Sequence, residues 1–383
     1  MFSNRKFVLF AAVMLSLLLV FAGCGGNGET ENGAVDDGNG DVEEVVIGTV
    51  GPLTGGAASY GVSVRQGVEI AVNEFNAEGG VQIKLISEDA KGDPTEAANA
   101  ISKLIEQDRV AAIIGAVLSS ETLAGTAIAN DAGVTMISPS STATGIPQEG
   151  EYIFRNCLSD DVQAAQLAEY AYEELGISKF AVMYTNNDYG QALQKAFIET
   201  AEGLGEVLEV QTFMDKDTDF SAALTSIRQK NPEAIFVAGY YEEAAKIAQQ
   251  AREQGIDAQI LGADGFYSPD LLSLGGDAVE GAIFTAGFYD GDTTAEVVNF
   301  VTKYEEAFGA RPDMFAAQAY DAANIVLKAI RTAGGDRAGI RDAIAATQNY
   351  PGITGNTSFD EDGDVLKDIL ILQVEGGVFT RIR

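Results

Sequence analysis

VVIGTVGPLTGGAASYGVSVRQGVEIAVNEF, residues 45–75, contains a β-rich run, a glycine-rich turn and an amphipathic helix in direct succession. Residues 45–50 are mostly β-branched and apolar, which is typical of a strand buried on both faces. From Val64 to Phe75 the apolar residues recur three and four positions apart, the spacing of one helix face. The segment therefore predicts the start of a βαβ unit with a parallel sheet.

The same alternation of β-rich and helical runs continues along the chain. We predict strands at residues 45–50, 81–88, 110–115, 134–138, 179–184, 206–213, 234–238, 259–262 and 281–286. These strands are too many for one doubly wound domain of ordinary size, and 383 residues also exceed what one hydrophobic core usually supports. The predicted fold class is α/β, with two Rossmann-like lobes that each contain a parallel sheet.

The order of the later elements predicts that the chain returns to the first lobe. Helical runs at 295–308 and 315–333 follow one another with no strand between them, and two strand-like runs at 369–374 and 378–382 are joined by a Glu-Gly-Gly turn. About three crossings between the lobes favour a hinge. The predicted lobes are residues 45–157 plus 288–358 and residues 158–287 plus 359–383.

Composition excludes several classes of function. Lys and Arg total 24 against 57 Asp and Glu, and the net charge of -33 argues against a nucleic-acid partner. The chain has no histidine, which removes Ser-His-Asp and Cys-His nucleophiles and His-ligated zinc. It also has no GxGxxG, GxxxxGK[ST] or GxSxG motif. We therefore expect no enzyme activity and no cofactor.

A calcium loop is also rejected on sequence. Asp360, Asp362 and Asp364 have the spacing of its first ligands, but Val365 stands where the loop needs glycine and Ile371 where it needs glutamate. We predict a turn at these aspartates and no metal site.

The amino terminus has the order of a secretion signal. Arg5 and Lys6 precede an uncharged apolar run at 7–22, which is short for a spanning helix. We predict a signal peptide at 1–23, a lipid-carrying Cys24 that anchors the protein to a membrane, and a flexible spacer at 24–44. The alternative is an ordinary secretory signal with an incidental cysteine. Cys157 then has no disulfide partner and is interpreted as a small buried apolar residue.

Small polar clusters follow several predicted strands, where open α/β sheets bind ligands. Ser119 and Thr142 stand where helices are predicted to begin, so hydroxyls and free backbone N–H groups would form a site for a carboxylate there. Asp264 precedes Gly265 at another strand end, which suits a ligand ammonium that approaches closely. The alternative is that both hydroxyl residues are helix caps and that Asp264 is a turn residue.

From Ile47 to about Val374, the chain resembles the branched-chain amino-acid binding proteins of ABC importers, which have the type I periplasmic-binding-protein fold. The matching segments, in order, are Gly51–Gly55, Tyr60–Gly61, Gly79–Gly80, Asp89–Pro94, Ile137–Pro139, Asn187–Gly190, Asp219–Ser221, Gly239–Tyr240, Gln249–Gly255 and Tyr320–Ala322. Each is weak alone, but their common order makes the resemblance specific.

The resemblance implies a role for each matching site residue. The ligand carboxylate would be held by hydroxyls and backbone of the first lobe, at Ser119, Ser140, Ser141 and Thr142. Asp264, next to Gly265, would hold the ammonium, where many relatives carry glutamate. The walls of the site would be Tyr60, Tyr189 and Tyr240.

The implied function is that of an extracytoplasmic, monomeric binding lipoprotein that captures an amino acid, with the branched-chain type favoured, and delivers it to a membrane permease. Alternatives left open are an amide, urea, or an aromatic or carboxylate ligand, and a sensor that signals to a membrane receptor. An enzyme on the same α/β plan is disfavoured by the missing histidine and nucleophile motifs.

Overall fold

The computed structural model describes residues 44–383. Its strands are β1 (Glu44–Gly51), β2 (Gln82–Asp89), β3 (Ala112–Gly115), β4 (Thr135–Ser138), β5 (Ile153–Arg155), β6 (Lys179–Thr185), β7 (Glu206–Phe213), β8 (Ala234–Ala238), β9 (Gln259–Gly262), β10 (Ile283–Ala286), β11 (Tyr350–Gly352), β12 (Gly355–Phe359), β13 (Val365–Leu366), β14 (Leu370–Glu375) and β15 (Val378–Arg381). Its α-helices are α1 (Ala58–Ala77), α2 (Pro94–Glu106), α3 (Ser119–Asp131), α4 (Asp160–Glu173), α5 (Asp188–Leu204), α6 (Ser221–Lys230), α7 (Tyr241–Glu253), α8 (Pro269–Gly275), α9 (Ala295–Phe308), α10 (Met314–Ala333) and α11 (Arg337–Ala345).

The first lobe is built on a parallel five-stranded sheet in the order β2-β1-β3-β4-β5. Its central strands are buried on both faces. Ile113 and Ile114 are adjacent in β3, so their side chains point to opposite faces, and both are fully buried. Apolar side chains of α1 and α10 join the core on one face, and those of α2 join it on the other. Gly67 of α1 lies so close to the Ala316 carbonyl of α10 that a Cβ atom would clash there. The predicted βαβ arrangement is confirmed in this lobe.

The second lobe is built on a seven-stranded sheet in the order β15-β14-β10-β9-β8-β6-β7. Strands β6 to β10 pair in parallel, and the β14–β15 hairpin adds antiparallel strands beside β10. Helices α4 and α5 cover one face and α6 and α7 cover the other. The predicted hairpin and the predicted parallel strands are therefore confirmed.

Segments at residues 156–159, 287–294 and 367–369 connect the two lobes. Arg155 is only 1% exposed, and its Nε and Nη2 donate to the Asp364 carboxylate at 2.7 and 2.5 Å. Its Nη1 donates to the carbonyls of Thr142 and Ala143. Lys367 Nζ donates to Asn156 Oδ1 and to Thr354 Oγ1, both at 2.7 Å. Polar contacts thus tie the first and last connections together. The residue boundaries predicted for the lobes stay a prediction.

The structure contains elements that were not predicted and lacks one helix start that was. A small antiparallel sheet, β11-β12-β13, was not predicted. No helix begins at Thr142, so that expectation was wrong: the Ser138 hydroxyl accepts from the Ser141 N–H, and Arg155 holds the next two carbonyls, which keeps the loop out of helical geometry. The turn predicted at these aspartates is present. The Asp360 carboxylate accepts hydrogen bonds from the N–H groups of Asp362 and Asp364.

The predictions made for residues 1–43 and for Cys24 lie outside the described residues. Within residues 44–383, no helix combines the length and the apolar character that a membrane crossing requires. The same residues hold no group of three or more acidic or cysteine side chains arranged to bind a metal ion. Cys157 is buried with its thiol free.

Candidate functional site

The carboxyl ends of strands from both lobes meet at one small cavity. Its lining residues are Tyr60, Val117, Leu118, Ser119, Ser140, Tyr189, Tyr240, Asp264, Gly265 and Phe315. Ser119 is the first residue of α3 after β3, and Tyr189 is the second residue of α5 after β6. The Asn187 side chain caps α5 by accepting from the Gly190 N–H at 2.9 Å, which fixes the start of the helix that carries Tyr189.

Seven of the nine predicted ligand-binding residues line this cavity; Ser141 and Thr142 do not. Ser141 is fully buried beside it, with its hydroxyl 2.6 Å from Thr122 Oγ1 and 3.1 Å from the Val117 carbonyl. Thr142 is 1% exposed and is also absent from the cavity lining. These two residues therefore shape the loop behind the cavity.

Aromatic side chains form most of the walls. The rings of Tyr189 and Tyr240 are stacked with centroids 5.0 Å apart and planes 6° apart. Tyr60 packs against Phe315 with centroids 4.3 Å apart and against Tyr240 at 5.9 Å. Such a box buries apolar surface of a ligand and leaves hydroxyl groups for polar contacts.

The Tyr60 hydroxyl connects the two lobes. It donates to the Gly265 carbonyl at 2.5 Å and accepts from the Tyr241 N–H at 3.1 Å, so a first-lobe side chain is bound by two segments of the second lobe. Tyr60 is 1% exposed, and burial raises the pKa of its phenol well above the usual value, so it stays protonated as a donor. The structure is closed around this contact.

Asp264 is the acidic group of the cavity. It is 4% exposed and accepts from the Tyr189 hydroxyl at 2.9 Å. Burial raises the pKa of its carboxyl to about 6, although the hydrogen bond from Tyr189 lowers it. Tyr189 Oη also accepts from the Gly265 N–H at 3.0 Å. A Cβ atom at position 265 would clash with this hydroxyl, so the close contact between residue 265 and Tyr189 requires glycine.

On the opposite wall, hydroxyl groups and a helix start are gathered in the first lobe. Ser119 Oγ accepts from the Ala143 N–H at 3.2 Å and keeps capacity to donate. Ser140 Oγ donates to the Val117 carbonyl at 2.8 Å. The first N–H groups of α3 have no intrahelical acceptor and carry the positive end of the helix dipole. This wall suits an anionic group.

Two buried acids near the cavity were not identified from sequence as site residues. Glu121 accepts from the N–H groups of Leu118 and Gly92, and burial raises the pKa of its carboxyl to about 7. Asp160, the first residue of α4, is fully buried. Asp161 follows it directly and is exposed, and nothing in the sequence distinguishes the buried residue of this pair from its exposed neighbour.

The closed cavity is small. Its free volume is about 10 Å³, which is close to the room that one water molecule needs. An amino acid therefore enters only when the lobes part or the wall side chains turn, which agrees with a hinge between the lobes.

Comparisons with known proteins identify this architecture. Residues 44–378 match the family model described as Periplasmic binding protein. The Leucine-, isoleucine-, valine-, threonine-, and alanine-binding protein of Pseudomonas aeruginosa is 30% identical over 332 residues, which cover 84% of this chain and 87% of the relative. A Leu/Ile/Val-binding protein homolog of Brucella abortus is 31% identical, with 84% and 87% covered.

Solved structures agree with this assignment. A leucine binding protein of Thermotoga maritima superposes with a TM-score of 0.84 at 35% identity, covering 88% of this chain and 98% of its own. A branched-chain amino acid transporter substrate binding protein of Streptococcus pneumoniae, solved with isoleucine, gives 0.84 at 34% identity and the same coverage. The predicted type I fold and the predicted resemblance are confirmed, and the chain belongs to the periplasmic binding protein family.

Proposed function

We propose that this protein is the extracytoplasmic solute-binding lipoprotein of an ABC importer and that it binds a branched-chain amino acid between its lobes. The observation that carries the proposal is the placement of Asp264 and Ser119 in one buried cavity, on opposite lobes. Two relatives of at least 30% identity are named for binding leucine, isoleucine and valine, which supports the choice of ligand class.

The carboxylate of the amino acid is assigned to the first lobe. Ser119 offers a hydroxyl donor there and the start of α3 offers N–H donors; Ser140 lines the same wall, and Ser141 and Thr142 support the loop from behind. Donors of this kind compensate the loss of water around an anion when the cleft closes.

The ammonium group is assigned to Asp264. A buried carboxylate next to a cation forms the stronger, charge-assisted kind of hydrogen bond. A ligand without an amino group would leave Asp264 buried without a cation, which is costly. For this reason the site favours an amino acid over urea, an amide or an aromatic acid.

The apolar part of the ligand is assigned to the aromatic walls. Tyr60, Tyr189, Tyr240 and Phe315 surround the cavity together with Leu118. Closure removes the ligand side chain from water, and the free energy gained by that burial is about 1.5 to 3 kcal/mol for a leucine-sized group. The ligand thereby stabilises the closed form, which is the form that a permease distinguishes from the open one.

Delivery to a permease and anchoring through a lipid on Cys24 complete the proposal, in which the protein acts as a monomer. No chemical bond of the ligand is changed. A Cys24→Ser variant expressed in cells should move from the membrane fraction to the soluble extracytoplasmic fraction. Membrane retention of that variant would contradict the lipid anchor without affecting the proposed ligand.

Isothermal titration calorimetry with matched analogues tests the ligand assignment. Leucine should bind at least about 100-fold more tightly than 4-methylpentanoate, which lacks only the amino group, because Asp264 would lose its cation. Leucinamide, which lacks the carboxylate charge, should also bind weakly. Binding of benzoate, acetamide or urea in preference to every amino acid would overturn the proposal.

A further inference from the structure

Gln163 is a buried amide whose direction is fixed by groups on both sides. It is the fourth residue of α4 and is only 3% exposed. Its Oε1 accepts from the Thr285 hydroxyl at 2.8 Å, and its Nε2 donates to the Leu158 carbonyl at 3.2 Å. Because a carbonyl can only accept, the nitrogen of the amide must face Leu158. An amide nitrogen carries two N–H groups, so one of them is left for a second acceptor.

The second acceptor of Gln163 is Asp264. Both residues line a second internal cavity, and Asp264 is the one residue that this cavity shares with the lining of the ligand cavity. A hydrogen bond from Gln163 lowers the pKa of the Asp264 carboxyl, second in size to the one from Tyr189. The carboxyl is therefore held by a phenol in the ligand cavity and by an amide in the second cavity.

The groups that hold Gln163 and Asp264 belong to the second lobe and to the first connection. Helix α4 covers the second sheet, Thr285 lies in β10, and Asp264 follows β9 by two residues. Leu158 lies in the connection at 156–159. None of these contacts needs the first lobe, so they hold the acid in place before the lobes close. Such preorganisation reduces what binding costs.

No nearby cation replaces the amide as a partner of Asp264. Arg155 and Lys367 are the cations that act on the neighbouring Cys157. Neither of them lines a cavity that contains Asp264. Arg155 is bound to Asp364, and Lys367 Nζ donates to two neutral oxygens.

The titratable groups that act on Asp264 supply no positive charge either. They come from α1, α4, α5, the residue before α7 and the first connection, and they are Tyr60, Asp160, Tyr189, Tyr240 and Cys157. Burial raises the pKa of each well above its usual value. The ionised form of Asp264 thus depends on neutral donors, of which Gln163 is one.

We propose that Gln163 is a positioning residue that keeps Asp264 ionised and oriented for the ammonium group of the ligand. The inference rests on the proposed function, because it needs a cationic ligand group at Asp264. Gln163 lies outside the lining of the ligand cavity and is assigned no contact with the ligand. Thr285 supports it by fixing the direction of the amide.

Calorimetry at pH 7 with leucine and 4-methylpentanoate tests this role. In Gln163→Met the side chain keeps its length but has no N–H donor, so leucine should bind about 10- to 100-fold more weakly. The same variant should bind 4-methylpentanoate at least as well as the wild type, because this ligand has no amino group. Gln166→Met, at a half-buried glutamine of the same helix, should behave as the wild type. Equal weakening of both ligands by Gln163→Met would overturn the proposal.

A second measurement needs no ligand. The pKa of Asp264 is followed by NMR in protein labelled with ¹³C at the aspartate carboxyls, with Asp264→Asn to assign the signal. Because the amide donates to the ionised carboxylate, Gln163→Met should raise this pKa by at least about half a unit. Thr285→Val, which leaves the amide oxygen without its donor, should raise it by less, and it provides the test if Gln163→Met does not fold.

The outcome for the ligand-free protein is independent of the proposed function. An Asp264 pKa that neither substitution changes would overturn the role of Gln163, even if leucine binds. If no amino acid binds, the proposed function fails, and the NMR titration alone decides whether Gln163 controls the charge of Asp264.

Discussion

Asp264 is the residue on which recognition of an amino group depends. We predict that Asp264→Asn weakens leucine binding by about 30- to 1000-fold, because a buried ion pair with the ammonium is lost, at a cost of about 2 to 4 kcal/mol. Calorimetry at pH 7 measures the loss. Asp277→Asn, an exposed acid of the same lobe, is the control and should bind normally. Equal affinities of the two variants would contradict the role of Asp264.

The same carboxyl predicts how binding depends on pH. The pKa of Asp264 is raised to about 6 by burial, so the ligand-free site takes up a proton as the pH falls below that value. A neutral carboxyl pairs poorly with an ammonium, and leucine affinity should fall at least about tenfold between pH 7 and pH 5. Calorimetry across this range, with circular dichroism to check that the protein stays folded, measures the effect. An affinity that does not change with pH would contradict the prediction.

At the residue scale, the sequence was sufficient to identify site residues that come shortly after the end of a predicted strand. Tyr60, Ser119 and Asp264 stand in such positions, and the structure brings them to one cavity. Phe315 could not be identified, because its place in the cavity depends on how α10 lies against α1. The burial of Asp160 likewise depends on packing between elements, which residue type and spacing do not specify.

At the scale of elements, the contact between α1 and the second lobe should govern closure. We predict that Tyr60→Phe, which removes the hydroxyl bound to Gly265 and Tyr241, weakens leucine binding by about 3- to 10-fold. It should also increase the radius of gyration of the ligand-free protein in small-angle scattering. Tyr304→Phe is the matched control, since that hydroxyl donates to Gln66 within the first lobe. If both variants bind leucine alike, Tyr60 is not a closure contact.

The elements predicted best from sequence are those with one dominant pattern. Strands β7, β8 and β9 have the predicted bounds, because each is a short run containing apolar residues that lies between predicted helices, whose ends limit where the strand can begin and end. The sheet β11-β12-β13 was missed because its strands are short and contain polar and glycine residues, and their pairing depends on contacts with distant parts of the chain. The helix start predicted at Thr142 is wrong for a similar reason, because Arg155 from a later part of the chain binds the Thr142 carbonyl and holds the loop.

At the scale of the whole molecule, the buried Arg155 directly precedes the first connection between the lobes and binds Asp364, which lies just before the last connection. We predict that Arg155→Lys lowers the melting temperature by at least about 4 °C, because lysine cannot reproduce the paired bonds to Asp364 together with those to two carbonyls. Differential scanning calorimetry measures the change. Arg381→Lys, at an exposed arginine 4.0 Å from Asp292, should change it little. Similar effects of the two substitutions would contradict the structural role of Arg155.

The two-lobe architecture could be predicted from chain length, strand count and the late return of helices without strands. The closed state could not, because it depends on contacts such as the one between the Tyr60 hydroxyl and Gly265 that form only when the lobes meet. In the same way, sequence predicted an acid at the rim of the cleft but not the small volume of the closed cavity.

A crystal structure of the protein grown with leucine tests the central claim most directly. The account predicts one leucine between the lobes, with its carboxylate at Ser119 and the Ser140–Thr142 loop and its nitrogen within about 3 Å of an Asp264 oxygen. A leucine bound in the reverse orientation, or bound away from the cavity that contains Ser119 and Asp264, would contradict it.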